Sequence, residues 1–266
     1  MIVYSDLDGT MLGPGGSLIR AADRSWTLEP AQALISLHSQ GIPLMLVSGR
    51  TRAQLMEAAA LTSADGFIAE MGALLSWDHG RQTEVLSGAA PPPLHRAPDE
   101  VVAQLLEQFD GQLDVYDPWH EGHEVDILMR GRLDPLAVES WLAEKGFSWL
   151  RLRDNGVIPE AAAGAKLRGS GPVHVLHLMP DGISKGLAVK RDLERRGLDP
   201  ATAVAVGDSA SDLTMAPHVG RFFLVANGAA HPHMAPLIEQ HENLTITAGM
   251  NGAGFVEAVK HLLAEV

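Results

Sequence analysis

Two carboxylates one residue apart, Asp6 and Asp8, follow the apolar run Ile2 to Tyr4, and the string Asp6-Leu7-Asp8-Gly9-Thr10 gives the backbone a glycine on which to turn sharply. With that spacing one carboxylate can attack while its neighbour handles protons. Phosphoryl transfer needs an in-line nucleophile, a cation on the equatorial oxygens and donors that fix the phosphate; an aspartyl-phosphate splits hydrolysis into two easier steps. The other parts are present. Ser48 follows a second apolar run, Ile42 to Val47, and can donate its hydroxyl to a phosphate oxygen, with Gly49 leaving the adjacent backbone free to approach. Lys185, after Pro180-Asp181-Gly182, can add positive charge, and Asp208 follows the run Ala203 to Val206 with Asp212 one helical turn further on. Asp6, Asp208 and Asp212 form an all-oxygen set suited to Mg²⁺, a hard ion that keeps several waters.

These residues act together only if the chain brings them to one place. The short runs Ile2 to Tyr4, Ile42 to Val47, Ala203 to Val206 and Phe222 to Val225 suit strands covered on both faces. Helical patterns lie between them, including Pro30 to Gln40 and Lys185 to Arg196, the latter closed by Gly197. Alternating strand and helix implies an α/β fold with a parallel sheet and right-handed crossovers. Asp6, Ser48, Asp208 and Asn227 then collect at the carboxyl edge of that sheet, where open α/β sheets bind ligands.

The middle of the chain reads differently. Four prolines within Ala89 to Pro98 indicate an extended connector or an exposed loop. After them come a helix over Asp99 to Phe109, a strand over Glu124 to Met129, a helix over Pro135 to Lys145, and strands over Ser148 to Leu152 and Val173 to Leu178. The expected organisation is a discontinuous Rossmann-like core, residues 1–82 and 180–266, interrupted by an α+β insertion at 83–179 of about one small domain.

Composition narrows the function classes. Lys plus Arg number 20 against 33 Asp plus Glu, a net charge of −13 that repels nucleic-acid phosphates and anionic lipid headgroups. The five Trp do not interleave with basic residues, so stacking on single-stranded nucleic acid has no support. With no Cys there is no thiol nucleophile, zinc-thiolate site or disulfide. The N-terminus shows no secretory signal pattern and no run reaches the roughly 18 apolar residues of a membrane span. The expectation is a cytoplasmic protein whose partner is a small phosphorylated metabolite, with neither nucleic acid nor membrane as partner and a homodimer allowed.

The motif set resembles the haloacid dehalogenase superfamily of phosphatases. Its four motifs occur in order as Asp6-Leu7-Asp8-Gly9-Thr10, Val47-Ser48-Gly49-Arg50, Lys185, and Gly207-Asp208-Ser209-Ala210-Ser211-Asp212. The resemblance covers Met1 to about Arg81 and about Pro180 to Val266. An insertion between the second and third motifs is similar to the subgroup with a large α/β cap, which includes Cof-type sugar-phosphate, sucrose-phosphate, mannosyl-phosphoglycerate and phosphoglycolate phosphatases. The resemblance implies Asp6 as nucleophile and Mg²⁺ ligand, and Asp8 as acid and base whose backbone carbonyl also binds the metal. It implies Asp208 as a direct ligand and Asp212 as a support through water or Lys185. Ser48 and Lys185 hold the phosphate by the same carry-over, with Thr10, Gly49 and Arg50 added to that set; an ion pair for Arg50 and a loop hydroxyl for Thr10 are their structural alternatives. Glu70-Met71-Gly72-Ala73 falls where relatives have an Asn-Gly-Ala turn, so Met71 replaces Asn, and Ser211 replaces the Asn usual before Asp212.

The expected activity is therefore Mg²⁺-dependent hydrolysis of a sugar phosphate or phospho-acid through an aspartyl-phosphate. A phosphomutase of the phosphomannomutase type and a non-catalytic phosphosugar sensor are the alternatives. His120-Glu121-Gly122-His123 and His231-Pro232-His233 lack the i, i+4 spacing of a helical metal pair and read as surface or loop histidines. His174 and His177 lie in a strand and point to opposite faces. Arg130, Arg132, Arg151, Arg153, Lys166 and Arg168 read as a solvated face of the insertion, with contact to an anionic substrate as the alternative.

Overall fold

A computed structural model describes residues 1–162 and 164–264. In chain order its strands are β1 (Ile2–Asp6), β2 (Leu44–Val47), β3 (Gly66–Ala69), β4 (Leu74–Trp77), β5 (Gln82–Val85), β6 (Leu113–Val115), β7 (Ile127–Gly131), β8 (Leu150–Ile158), β9 (Val173–Pro180), β10 (Ala203–Gly207), β11 (Arg221–Leu224) and β12 (Leu244–Ile246). The helices are α1 (Glu29–Ser39), α2 (Arg52–Thr62), α3 (Asp99–Gln108), α4 (Pro135–Glu144), α5 (Lys185–Arg196), α6 (Ala210–Leu213), α7 (Ala226–Ala229), α8 (Ala235–Ile238) and α9 (Gly252–Leu263). The chain divides into two compact units, Met1–Glu84 with Ser184–Val266, and Val85–Ile183.

The first unit is built on a sheet of order β12-β11-β10-β1-β2-β3-β4-β5. β1 lies at its centre, parallel to β10 on one side and β2 on the other, with Val3 opposite Val204 and Leu44. Every residue of β1, β2 and β10 is buried, as apolar runs covered on both faces require. Pairing is parallel from β12 to β3, but β4 runs antiparallel to β3. The expectation of a parallel sheet with crossovers did not include this edge. Its cause is the tight turn Glu70–Gly72, which reverses the chain at once and leaves no length for a crossover helix.

Helix ends matter here because they deliver the chemistry-bearing residues. In α5 the Ser184 side chain caps by accepting from Leu187 N, Lys185 is the first helical residue, and Gly197 ends the helix in the left-handed region at φ 64°. In α2 a reciprocal capping box joins Thr51 and Gln54, fixing where the Ser48-Gly49-Arg50 loop must stop. α5 is also fastened to β1 away from its first turn. Tyr4 Oη donates to Asp192 Oδ2 at 2.9 Å, and the Arg195 and Arg196 guanidiniums donate to the same buried carboxylate. Burial, with the Asp192 charge beside it, pushes the Tyr4 phenol well above its usual range.

The second unit is an antiparallel sheet of order β6-β7-β9-β8. Ile127, Met129, Leu150, Leu152, Leu176 and Leu178 alternate along its strands and form one buried cluster with Val101 and Leu105 of α3 and Val138 and Leu142 of α4. The polar residues of this unit depart from two expectations. His123 lies in a loop, as one of the two expected readings has it, but not at the surface: it is buried, and its Nδ1 and that of His177 both bond the buried carboxylate of Asp126. Burial alone would raise Asp126, but the two imidazoles outweigh it and hold the carboxyl well below the usual range. Nor is the arginine set a simple solvated face. Arg130 and Lys166 both donate to Asp114, Arg132 to Glu160, and Arg151 and Arg153 pair with Asp181. These pairings join residues far apart in sequence, which no local pattern records. His231 and His233 are exposed, as expected.

Candidate active site

The carboxyl edge of the central strands gathers the predicted residues. Asp6 ends β1, Asp208 follows β10, and a ligand atom from each of Asp6, Asp208 and Asp212 lies within 4.8 Å of the others. Lys185 Nζ, itself buried, donates to Asp6 Oδ1 at 2.9 Å and to Asp212 Oδ1 at 2.6 Å. The other oxygen of Asp212 accepts from the backbone N–H groups of Asp208 and Ser209 and from the Ser209 hydroxyl at 2.6 Å. Both Asp212 oxygens are thus engaged, and its link to Asp6 runs through Lys185.

Electrostatics at this edge follow from three crowded carboxylates, two of them buried and sharing one ammonium. Burial is the largest influence on Asp6 and, with Asp212 and Asp8 nearby, lifts it from 3.8 to about 7 against the pull of Lys185. Burial again leads for Asp208, which is lifted to about 8 with help from the charges of Asp6 and Asp212. Burial opposes the charge on Lys185, but Asp212 and Asp6 more than offset it and hold the ammonium well above its usual value. Oxygen donors that are crowded, buried and short of positive charge fit a hard divalent cation, which would favour their ionised forms.

The backbone around the cluster is cut to fit. Gly9 sits at φ 87°, and a Cβ there would lie 2.1 Å from Asp208 Oδ2. Gly9→Ala is expected to displace Asp208, lowering turnover by on the order of 10²-fold while costing about 1–2 kcal/mol of stability; steady-state rates and thermal melts check both. Gly207 is equally constrained, since a Cβ there would lie 2.3 Å from Asp212 Cβ.

Ser48 is buried directly after β2, and its Oγ accepts from Arg50 N at 3.3 Å across Gly49. Thr10 Oγ1 donates to Asp208 Oδ1 at 3.4 Å. Asp8 and Arg50 stand outside the carboxylate cluster and bond each other side chain to side chain. Met71 occupies the left-handed region at φ 59°, where an Asn is accommodated with less strain than Met. Ser211 bonds Ser209 Oγ at 2.9 Å, within its own turn.

Sequence reasoning missed Asn251. Its Nδ2 donates to Gly9 O at 2.9 Å, the acceptor that Asn227 Nδ2 also reaches, and its backbone N–H donates to Asn227 Oδ1. Asn227 in addition donates to Asp208 Oδ2 at 3.2 Å. The available signal was Gly249-Met250-Asn251-Gly252, a glycine-flanked turn shortly after β12 at the same sheet edge.

Comparison with known proteins identifies the family and the fold. A family profile described as haloacid dehalogenase-like hydrolase matches residues 166–243. The phosphoglycolate phosphatase of Archaeoglobus fulgidus is 33% identical over 258 residues, covering 97% of this chain and 94% of the relative. That of Methanothrix thermoacetophila is 26% identical over 262 residues, covering 98% and 96%. Among solved structures, the sucrose-phosphatase of Synechocystis sp. PCC6803, in complex with sucrose and phosphate, aligns with TM-score 0.68 at 17% identity over 98% of this chain and 97% of that one. A haloacid dehalogenase-like hydrolase from Bacteroides thetaiotaomicron gives 0.65 at 18% identity, covering 98% of both chains. With a full-length relative at that identity and the fold shared throughout, the chain belongs to the haloacid dehalogenase-like hydrolase family and is a phosphatase.

Proposed function

We propose that the protein is a Mg²⁺-dependent phosphomonoesterase that acts on a small phosphorylated metabolite through a phosphoenzyme on Asp6, with a phospho-acid as the favoured substrate. The observation that carries the reading is the junction of Asp6, Asp208 and Lys185 at the ends of β1, β10 and the start of α5, an oxygen nucleophile beside a cation-fitting pair and a fixed ammonium. The phospho-acid preference rests on likeness to phosphoglycolate phosphatases over nearly the whole chain.

In this reading Asp6 attacks phosphorus, and Lys185 and the Ser48 hydroxyl hold the phosphoryl oxygens. Asp8 gives a proton to the leaving oxygen and later takes one from the attacking water. Thr10 and Asn227 steady Asp208, and Asp212 holds Lys185. Asp6, Asp208 and the backbone carbonyl of Asp8 would hold Mg²⁺, which when bound neutralises charge on the phosphoryl oxygens. The inserted unit is the cap in this reading: it contacts the leaving group and excludes water, tying specificity to closure.

Phosphate release measured over a panel of phosphoglycolate, hexose phosphates and aryl phosphate tests this. Release is expected with Mg²⁺ and is expected to fall by on the order of 10³-fold or more with excess EDTA. EDTA-insensitive release would overturn the metal assignment. Binding without turnover across the panel would favour the sensor, and dependence on a bisphosphate activator would favour the mutase.

A further inference from the structure

The fork of Arg50 is on Asp8. Nε donates to Asp8 Oδ2 at 2.7 Å and a terminal nitrogen to Asp8 Oδ1 at 2.6 Å, a bidentate guanidinium–carboxylate pair. The pair is accessible to an incoming ligand, with side chains 30% and 52% exposed for Arg50 and Asp8. One edge is closed: a Cβ on Gly16 would stand 3.3 Å from the Arg50 terminal nitrogen and 3.8 Å from Asp8 Oδ1, so the turn at Gly13 to Ser17 lies against it.

One planar fork holds one carboxylate in this geometry. A ligand that brings its own carboxylate can take the fork and expel Asp8, exchanging one ion pair for another of the same shape and charge. A neutral hydroxyl cannot, because it would leave Asp8 clasped or Arg50 without its partner. Asp8 is also the residue assigned above to the leaving oxygen, so occupancy of Arg50 by the leaving group's carboxylate would free the proton carrier at the moment it is needed.

We propose that Arg50 determines specificity for leaving groups that carry a carboxylate, by exchanging its ion pair with Asp8 for one with the substrate. The inference rests on the phosphatase reading and narrows its substrate class to phosphorylated hydroxy-acids. It differs from a phosphate contact by Arg50, which would serve every phosphate ester equally.

Phosphoglycolate and 2-hydroxyethyl phosphate separate the two, since they differ only in carboxylate against hydroxymethyl. The wild type is expected to favour phosphoglycolate in kcat/KM by about 30-fold or more, within the range for one charged hydrogen-bonded contact. In Arg50→Gln the preference is expected to shrink to within about 3-fold, chiefly through a raised KM for phosphoglycolate, with Arg50→Lys intermediate because it keeps charge and loses the fork. Equal losses on both esters in Arg50→Gln, or no preference in the wild type, would overturn the exchange and leave the phosphatase reading standing. A wild type that releases phosphate from no ester of the wider panel would overturn both.

Discussion

Asp6→Asn is expected to lower phosphate release by about 10⁴-fold or more and to abolish acid-stable phosphoenzyme, while the protein remains folded. The amide keeps the size of the side chain and removes the nucleophilic oxygen anion. Its effect on stability has a definite sign. The Asp6 carboxyl titrates at about 7 in the folded chain against 3.8 ordinarily, so whatever stability it contributes is complete below the lower value and lost as pH rises through the upper one. At pH 8 without divalent cation the variant should melt no lower than the wild type, particularly since Lys185 keeps its 2.6 Å contact with Asp212. Adding Mg²⁺ should then raise the melting temperature of the wild type more than that of the variant. Single-turnover phosphate release and paired melts check these outcomes, and substantial turnover in Asp6→Asn would remove the nucleophile assignment.

Lys185→Met should act on stability as well as rate. The ammonium is almost wholly buried and bonded to two buried carboxylates, so its loss strands like charges that have left water. Breaking one side of a buried ion pair costs about 3–5 kcal/mol, and losing a fixed cation beside the reacting phosphoryl lowers turnover by on the order of 10²–10³-fold. Mg²⁺ should narrow the stability deficit and restore little of the rate, because a cation on Asp6 and Asp208 offsets their repulsion without replacing the Lys185 contact. Denaturant titrations with and without Mg²⁺ measure the first effect, and kcat the second. A variant as stable and as active as the wild type would mean that the Lys185 contacts matter to neither property.

The core could be read from the sequence because its signals are local. Asp6, Ser48 and Asp208 each follow a short apolar run, and parallel pairing of β1 with β2 and β10 necessarily brings the ends of those runs to one edge. Lys185 was readable for the same reason, at the start of a helix that Gly197 visibly ends. What the sequence hid depends on pairing across long separations. Nothing near Tyr4 announces Asp192, nothing near Asp126 announces His177, and Arg50 carries no local mark of a bond to Asp8 rather than to phosphate. Asn251 escaped because a polar turn residue looks the same whether it faces water or holds the Gly9 carbonyl. The antiparallel β4 escaped because its turn uses Met71 at positive φ, where composition favours Asn or Gly.

β1 leaves the ribosome shortly before β2, yet its other flanking partner, β10, is encoded some two hundred residues later. Throughout synthesis of the intervening insertion the nascent strand has β2 beside it and an open edge on the other flank, and Asp6 has neither Lys185 nor Asp208 within reach. The hydrolytic apparatus therefore forms only once β10 has emerged and docked, and translation products cut short before β10 lack Asp208, one of the two carboxylates assigned to hold the cation.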